Sequence, residues 1–397
     1  MKQTMRNPGT WLAGRALVWL MLPLVLLACK GKRGESGSEA GTIGGEQAET
    51  ATLTVEDARL FSIENIENGH KVRVFSPQGD TLSTYVLLSH QAATQYQSAV
   101  GETVVAVPLE RMALLSDTFM GAAELLDALD RVVATSDTAT LYNEAARERA
   151  RNGALTGVSR EGTTDAERLI ALRPDGIMAN YFEGVADQLN IPKGSGIPIL
   201  YNNDWQEATL LGRAEWIKFV GLLTGKGKEA QEFYHRAKAA YDSVRQSVKL
   251  ESSLPDVLFG QAYKGVWYLP AADSYIAAML QDAGAQYNAP KTSAPGAPLS
   301  FEQVYLDHHN DAVWLAWHSG TVETYADFLK QDKRYAKFRA FTERNVWLNN
   351  GKVRGMANDY FEQGPYRPEQ ILSDLVYIFH PSLRSDAYRP AYWQQLK

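Results

Sequence analysis

Between residues 58 and 89 apolar and polar positions alternate with the two-residue period of strands that bury one face. Ala58–Glu64 and His70–Ser76 flank Asn68-Gly69, a pair suited to a tight hairpin turn because its central residues take positive φ. Ser76-Pro77-Gln78-Gly79-Asp80 supplies a second turn and Thr81–Ser89 alternates again, so a three-strand meander is predicted. From Thr103 the pattern changes. Short apolar runs (Thr103–Val107, Arg131–Ala134, Gly176–Ala179, Ile197–Tyr201) alternate with helical segments (Asp117–Leu129, Ala166–Leu172, Gly184–Leu189). Such alternation predicts a parallel sheet covered by helices on both faces. Gly212 to Lys249 is helical with a break at Thr224-Gly225-Lys226-Gly227, and Lys228–Val248 forms a strut about 30 Å long. Beyond Pro255 the alternation resumes. Strands are expected at Asp256–Gly260, Gly265–Leu269, Ala312–Trp317 and Val346–Asn349. Helices are expected at Ser274–Ala283, Glu302–His308, Glu323–Phe328, Tyr335–Arg344 and Pro368–Phe379. The fold class is therefore α/β, with two lobes joined by a helix.

Ahead of this body, Ala16–Leu27 is almost unbroken apolar, preceded by Lys2, Arg6 and Arg15 and followed by Ala28-Cys29. About a dozen apolar residues are too few to cross a bilayer core, so the run reads as a cleavable secretory signal. Cys29 is the only cysteine of the chain, and it follows a small residue. Cleavage after residue 28 and attachment of lipid to Cys29 are expected. Residues 30–52 are rich in Gly, Ser and Glu and suit a flexible tether.

The chain has 397 residues and a formal charge of −6. Residues 1–28 hold three basic and no acidic side chains, so the remainder carries −9. That charge gives no electrostatic footprint for nucleic acid. With Cys29 lipidated no thiol remains for disulfides, nucleophilic catalysis or metal binding. There is no H-E-x-x-H, G-x-S-x-G, P-loop or Rossmann glycine fingerprint. His308 and His309 are adjacent and diverge on a helix, so they do not form a chelating pair. No metal site and no cofactor are expected. Nineteen Tyr and nine Trp are numerous, and several fall in loops.

A weak internal repeat links the halves. Glu167, Leu169, Leu172, Pro174 and Asp175 form a short helix before one buried strand; Ser300, Glu302, Val304 and Asp311 do the same before another. The first set matches E-x-I-x-x-L-x-P-D; the second matches S-x-E-x-V with one extra residue before its Asp. With the lipoprotein start, the strut, Leu211–Lys226 and Asp282-Ala283-Gly284, residues 100–380 resemble periplasmic substrate-binding proteins of ABC importers for iron complexes (siderophore or haem) and cobalamin. The resemblance implies a class III periplasmic-binding-protein fold, two Rossmann-like lobes joined by a long helix, here with an N-terminal β-meander. The expected organisation is signal 1–28, tether 29–52, β extension 53–100, N-terminal lobe 101–225, linking helix 226–250 and C-terminal lobe 251–397. It further implies a monomer that holds a metal chelate between its lobes and docks on an ABC permease, driven by its ATPase, through Glu167 and Glu302. The expected location is the cell envelope, membrane-anchored through Cys29.

Ligands of such folds sit beyond the carboxyl ends of the strands. The expected set is Arg111 after the first strand, Tyr181, Trp205 and Arg213 in the first half, and Tyr263, Trp267, Tyr268, Trp317, His318, Tyr360 and Tyr366 in the second. Aromatic walls with a few polar groups suit a bulky planar ligand. Arg111 and Arg213 would pair with carboxylate or catecholate oxygens of an anionic one. Two other readings are open. A tetrapyrrole-metal chelatase-like enzyme would need a His/Glu pair in the cleft, for which only His318 offers itself. A surface scavenging or adhesion lipoprotein would keep the fold without a permease.

Overall fold

The computed structural model describes residues 52–160, 163–248, 253–290, 298–318, 320 and 322–397. The secretory signal and Cys29 lie outside the described residues. β1 (Phe61–Ile66), β2 (Gly69–Phe75) and β3 (Thr81–Ser89) form the antiparallel meander, with Asn68 at φ 62° in the first turn. A short α1 (His90–Ala93) then leads to β4 (Glu102–Val107), which lies parallel to β3. Thr103–Val107 therefore completes the extension sheet and is not the first strand of a lobe. It buries Val105 on one face only, as an edge strand does.

The first lobe begins instead with β5 (Met112–Leu114), whose three residues are all buried. It continues through α2 (Asp117–Leu125), β6 (Val132–Thr135), α3 (Glu144–Arg151), β7 (Thr156–Gly157) and the small hairpin β8 (Ser159–Arg160) and β9 (Thr163–Thr164). Then come α4 (Ala166–Ala171), β10 (Gly176–Ala179), α5 (Val185–Leu189) and β11 (Ile199–Tyr201). The sheet order is β11-β10-β5-β6-β7, all parallel. The extension is built onto this lobe. Phe61 lies 4.6 Å from Trp216, and Tyr85 stacks on Phe219 at 5.9 Å. The Tyr85 hydroxyl donates to Ile199 O and accepts from Tyr201 N, both at 2.9 Å, so it satisfies the free edge of β11.

α6 (Leu210–Glu215) and α7 (Ile217–Thr224) lead through Gly225 to the strut, α8 (Gly227–Val248), of 22 residues. A Cβ on Gly221 would stand 2.5 Å from that of Ala230, so glycine permits the tight α7–α8 crossing. Two buried glutamates strap residues 56–60 onto this region. The Glu215 carboxylate accepts from the N–H groups of Glu56, Asp57 and Ala58 at 2.7–2.8 Å and from Lys218 Nζ at 2.6 Å. Glu207 accepts from the N–H of Arg59 and Leu60 and from the Trp216 indole.

The second lobe runs β12 (Val257–Phe259), α9 (Tyr275–Asp282), α10 (Phe301–His308), β13 (Val313–Ala316), α11 (Tyr325–Gln331), α12 (Arg339–Thr342) and β14 (Val346–Leu348). A hairpin of β15 (Val353–Arg354) and β16 (Ala357–Asn358) precedes α13 (Asp359–Glu362), α14 (Pro368–Phe379) and β17 (Gln394–Gln395). The sheet order is β12-β13-β14-β17, antiparallel only at its last pair. The expected strand Gly265–Leu269 reduces to single bridges, Tyr263 with Val266 and Trp267 with Leu299.

Candidate functional site: a cleft between the lobes

The parallel strands of each lobe end on loops that carry the candidate site. In the first lobe β5, β6, β10 and β11 deliver Leu115, Ser136, Asn180 and Asn202; in the second β12, β13 and β14 deliver Gly260, Trp317 and Asn349. The lobes touch beside these ends. Thr118 Oγ1, in the first turn of α2, donates to Phe361 O of α13 at 2.9 Å. A Cβ on Gly121 would lie 1.9 Å from Glu362 O, so only glycine admits α13 this closely. The buried Glu362 carboxylate accepts from Tyr142 N at 2.6 Å and Asn143 N at 3.0 Å. Arg354 of the second lobe pairs with Glu144 of the first.

Burial, reinforced by Glu124 and Asp117, pushes the Glu362 carboxyl up to about 7. Its native pKa exceeds that of an exposed glutamate, so the native contact takes up a proton as pH falls from 7 towards 4.5. Stability linked to this group is greatest below that window and declines as pH rises through 7. We predict that Glu362→Gln flattens the change in unfolding free energy between pH 5 and pH 7.5 by about 1–2 kcal/mol. An unaltered pH profile would remove Glu362 from that role.

The cleft walls differ between lobes. On the first, Ser136, Ser159, Thr163, Asn180, Phe182 and Gln188 line a depression of about 480 Å³. On the second, Trp317 packs against Phe259 at 4.9 Å and Phe361 at 5.8 Å, and Phe361 is 44% exposed. Gln261 braces Trp317 through its backbone, donating to its O at 2.8 Å and accepting from its N at 2.7 Å. His318 N donates to Asn349 Oδ1, while its buried Nδ1 has no hydrogen-bond partner. Burial holds the His318 imidazole below the usual histidine range, so it is uncharged at neutral pH. Two other depressions, about 640 and 680 Å³, lie away from the strand ends, between β4 and the α5–β11 connection and along α9.

Residues 113–349 match the family model for periplasmic binding proteins. The chain belongs to this family. The likeness to solved members is one of fold. A periplasmic heme-binding protein of Pseudomonas aeruginosa superposes with a TM-score of 0.56 at 18% identity, covering 73% of this chain and 98% of that one. The CeuE protein of Helicobacter pylori with Ni(II) bound gives 0.55 at 17% identity, covering 72% and 88%. An uncharacterized lipoprotein of Methanocaldococcus jannaschii is 21% identical over 290 residues, 70% of this chain and 67% of the relative. The two-lobed class III fold expected from the sequence is the one observed.

Within this periplasmic binding protein the expected ligand residues divide. Trp205, Tyr263 and Tyr268 are 46%, 66% and 51% exposed on loops after strands, and Tyr181, Trp317 and His318 are half-buried there. The other five are corrected by the structure. Arg111 precedes β5 and so lies at the opposite end of the sheet, where its guanidinium donates to Leu172 O and Arg173 O beyond α4. Arg213 is buried in an ion pair with Asp204 at 2.9 Å and lies over the Tyr275 ring. Trp267 is wholly buried, stacked on Trp314 at 5.8 Å, because the tight Lys264-Gly265 turn returns the chain beneath the sheet. Tyr360 and Tyr366 are buried as well. Sequence reasoning did not single out Asn180, Ser136 or Gln261; their signal was position within two residues of the end of a buried strand. Glu167 and Glu302 are both exposed in the first turns of α4 and α10.

Proposed function

We propose that this protein is a lipid-anchored solute receptor that captures a metal chelate between its lobes and hands it to an ABC importer. The carrying observation is the braced Trp317–Phe361 wall of one lobe and the polar depression of the other, both at strand ends. An aromatic wall accompanied by a few polar groups is what a bulky, partly apolar complex requires. The family consists of solute-binding proteins, and structural neighbours carry heme or Ni(II). Cobalamin, ferric siderophore and haem are the candidate ligands. The lipid anchor rests on Cys29 and on relatives that are lipoproteins. Cys29→Ser should leave the protein in the soluble fraction; unchanged membrane association would rule the anchor out.

The test of the chelate reading is tryptophan-quenching titration of the mature protein with those complexes. Trp317→Ala should weaken the best of them by about 2 kcal/mol, some thirtyfold, as truncation of a central aromatic does. Normal affinity in that variant would place the ligand elsewhere. Trp267→Ala, by contrast, should act on stability, because its ring is part of the core.

A further inference from the structure

Resting on that reading, we infer the charge class of the ligand: a metal complex without net negative charge, neutral or cationic, held by amide and hydroxyl groups. Most cations near the cleft loops are already held in ion pairs. Arg213 is paired with Asp204, Lys352 with Asp359 at 3.1 Å, and Arg354 with Glu144. Arg111 lies at the far end of its sheet. Among the described side chains of these loops, Lys264 and Arg367 have no carboxylate in an ion pair; Lys264 sits at a hairpin tip over the ring of Tyr263, 5.2 Å away, and Arg367 donates to Gln363 Oε1 at 3.1 Å and lies over the Phe233 ring. His318 adds no charge at neutral pH.

Carboxylates, by contrast, stand on both sides without an ion pair to any described cation. Asp117, Asp137 and Glu183 follow strands of the first lobe, and Asp273 and Glu323 lie on loops of the second. A polyanionic complex entering between them meets repulsion, while the guanidiniums of Arg213 and Arg354 are held in ion pairs and that of Arg367 by Gln363. Like-charge juxtaposition of this kind rejects partners more effectively than a missing contact does.

The depression gives the same sign by a separate route. Its described lining residues are uncharged. The buried Asn180 Oδ1 has no hydrogen-bond partner, and Ser136 spends its hydroxyl proton on Leu115 O at 3.0 Å. Both therefore present lone pairs. A lone pair is satisfied by an amide N–H or a hydroxyl of the ligand. A carboxylate or catecholate oxygen brings no hydrogen and would leave the acceptor orphaned.

The experiment is titration of the full mature protein with matched probes at low and high salt. Cyanocobalamin and a neutral ferric tris-hydroxamate are set beside ferrioxamine B, a cation, and against haemin and a ferric tris-catecholate, both anions. The tightest probe is expected from the neutral and cationic set, by at least about tenfold over either anion. Asn180→Leu should weaken that probe about tenfold, and Lys264→Ala should leave it unchanged. Tightest binding by haemin or the tris-catecholate overturns the inference while upholding the chelate reading, as does loss of binding in Lys264→Ala. Binding of none of the probes by a folded protein overturns both.

Discussion

Cells whose only copy carries Glu167→Lys with Glu302→Lys are expected to lose uptake, while the purified double variant binds ligand as the parent does. Each glutamate opens a helix that leads into a parallel strand, α4 into β10 and α10 into β13. Such helices run antiparallel to their strands, so their first turns lie at the cleft end of each sheet, where a permease would approach. The fold should tolerate the change. Glu302 is 75% exposed, and its Arg334 partner retains Asp332 at 2.7 Å. An exposed pair contributes about 0.2–1 kcal/mol, and the favourable helix-dipole contact about as much. At a docked interface, two reversed charges facing basic sockets cost several kcal/mol. Uptake at the parental rate would end the docking proposal; lost affinity would assign the residues to ligand or fold.

Glu215→Ala should be the most destabilising single substitution proposed for this chain, by about 3–5 kcal/mol in urea unfolding. Glu215 and Lys218 have fully buried side chains 2.6 Å apart. Removing the carboxylate leaves the ammonium with Thr54 O, the Tyr234 ring and the more distant Glu56 at 3.7 Å. It also orphans three strap N–H groups at once. Glu215→Gln should fall between, since an amide oxygen still accepts but brings no charge. A loss below about 1 kcal/mol in the alanine variant would show that water replaces the carboxylate freely.

The alternation of runs made the α/β plan legible, and the strut and terminal helix fall almost where the periodicity put them. What periodicity could not rank was burial. Thr103–Val107 and Met112–Leu114 are both short apolar runs, yet the first is an edge with one buried face and the second a central strand covered on both. Choosing the first moved Arg111 to the wrong end of the sheet. Trp267 and Trp317 both follow strands in the second lobe. One turns under the sheet to Trp314, and the other is held outward by Gln261, 56 residues earlier. Side-chain direction here is decided by partners distant in sequence, which no local pattern reports. Exposed glutamates at helix starts were legible because motif and dipole preference coincide there.

During synthesis or export the strap emerges well ahead of what holds it: Ala58 precedes its carboxylate on Glu215 by 157 residues, and Phe61 must await Trp216. The meander can pair with itself early, but its apolar face stays wet until α7 arrives. Assembly of the first lobe thus waits on long loop closure, which slows folding and prolongs exposure of unpaired edges. A chaperone that shields residues 61–107 until α7 has emerged would shorten the interval in which two such nascent chains can pair with each other.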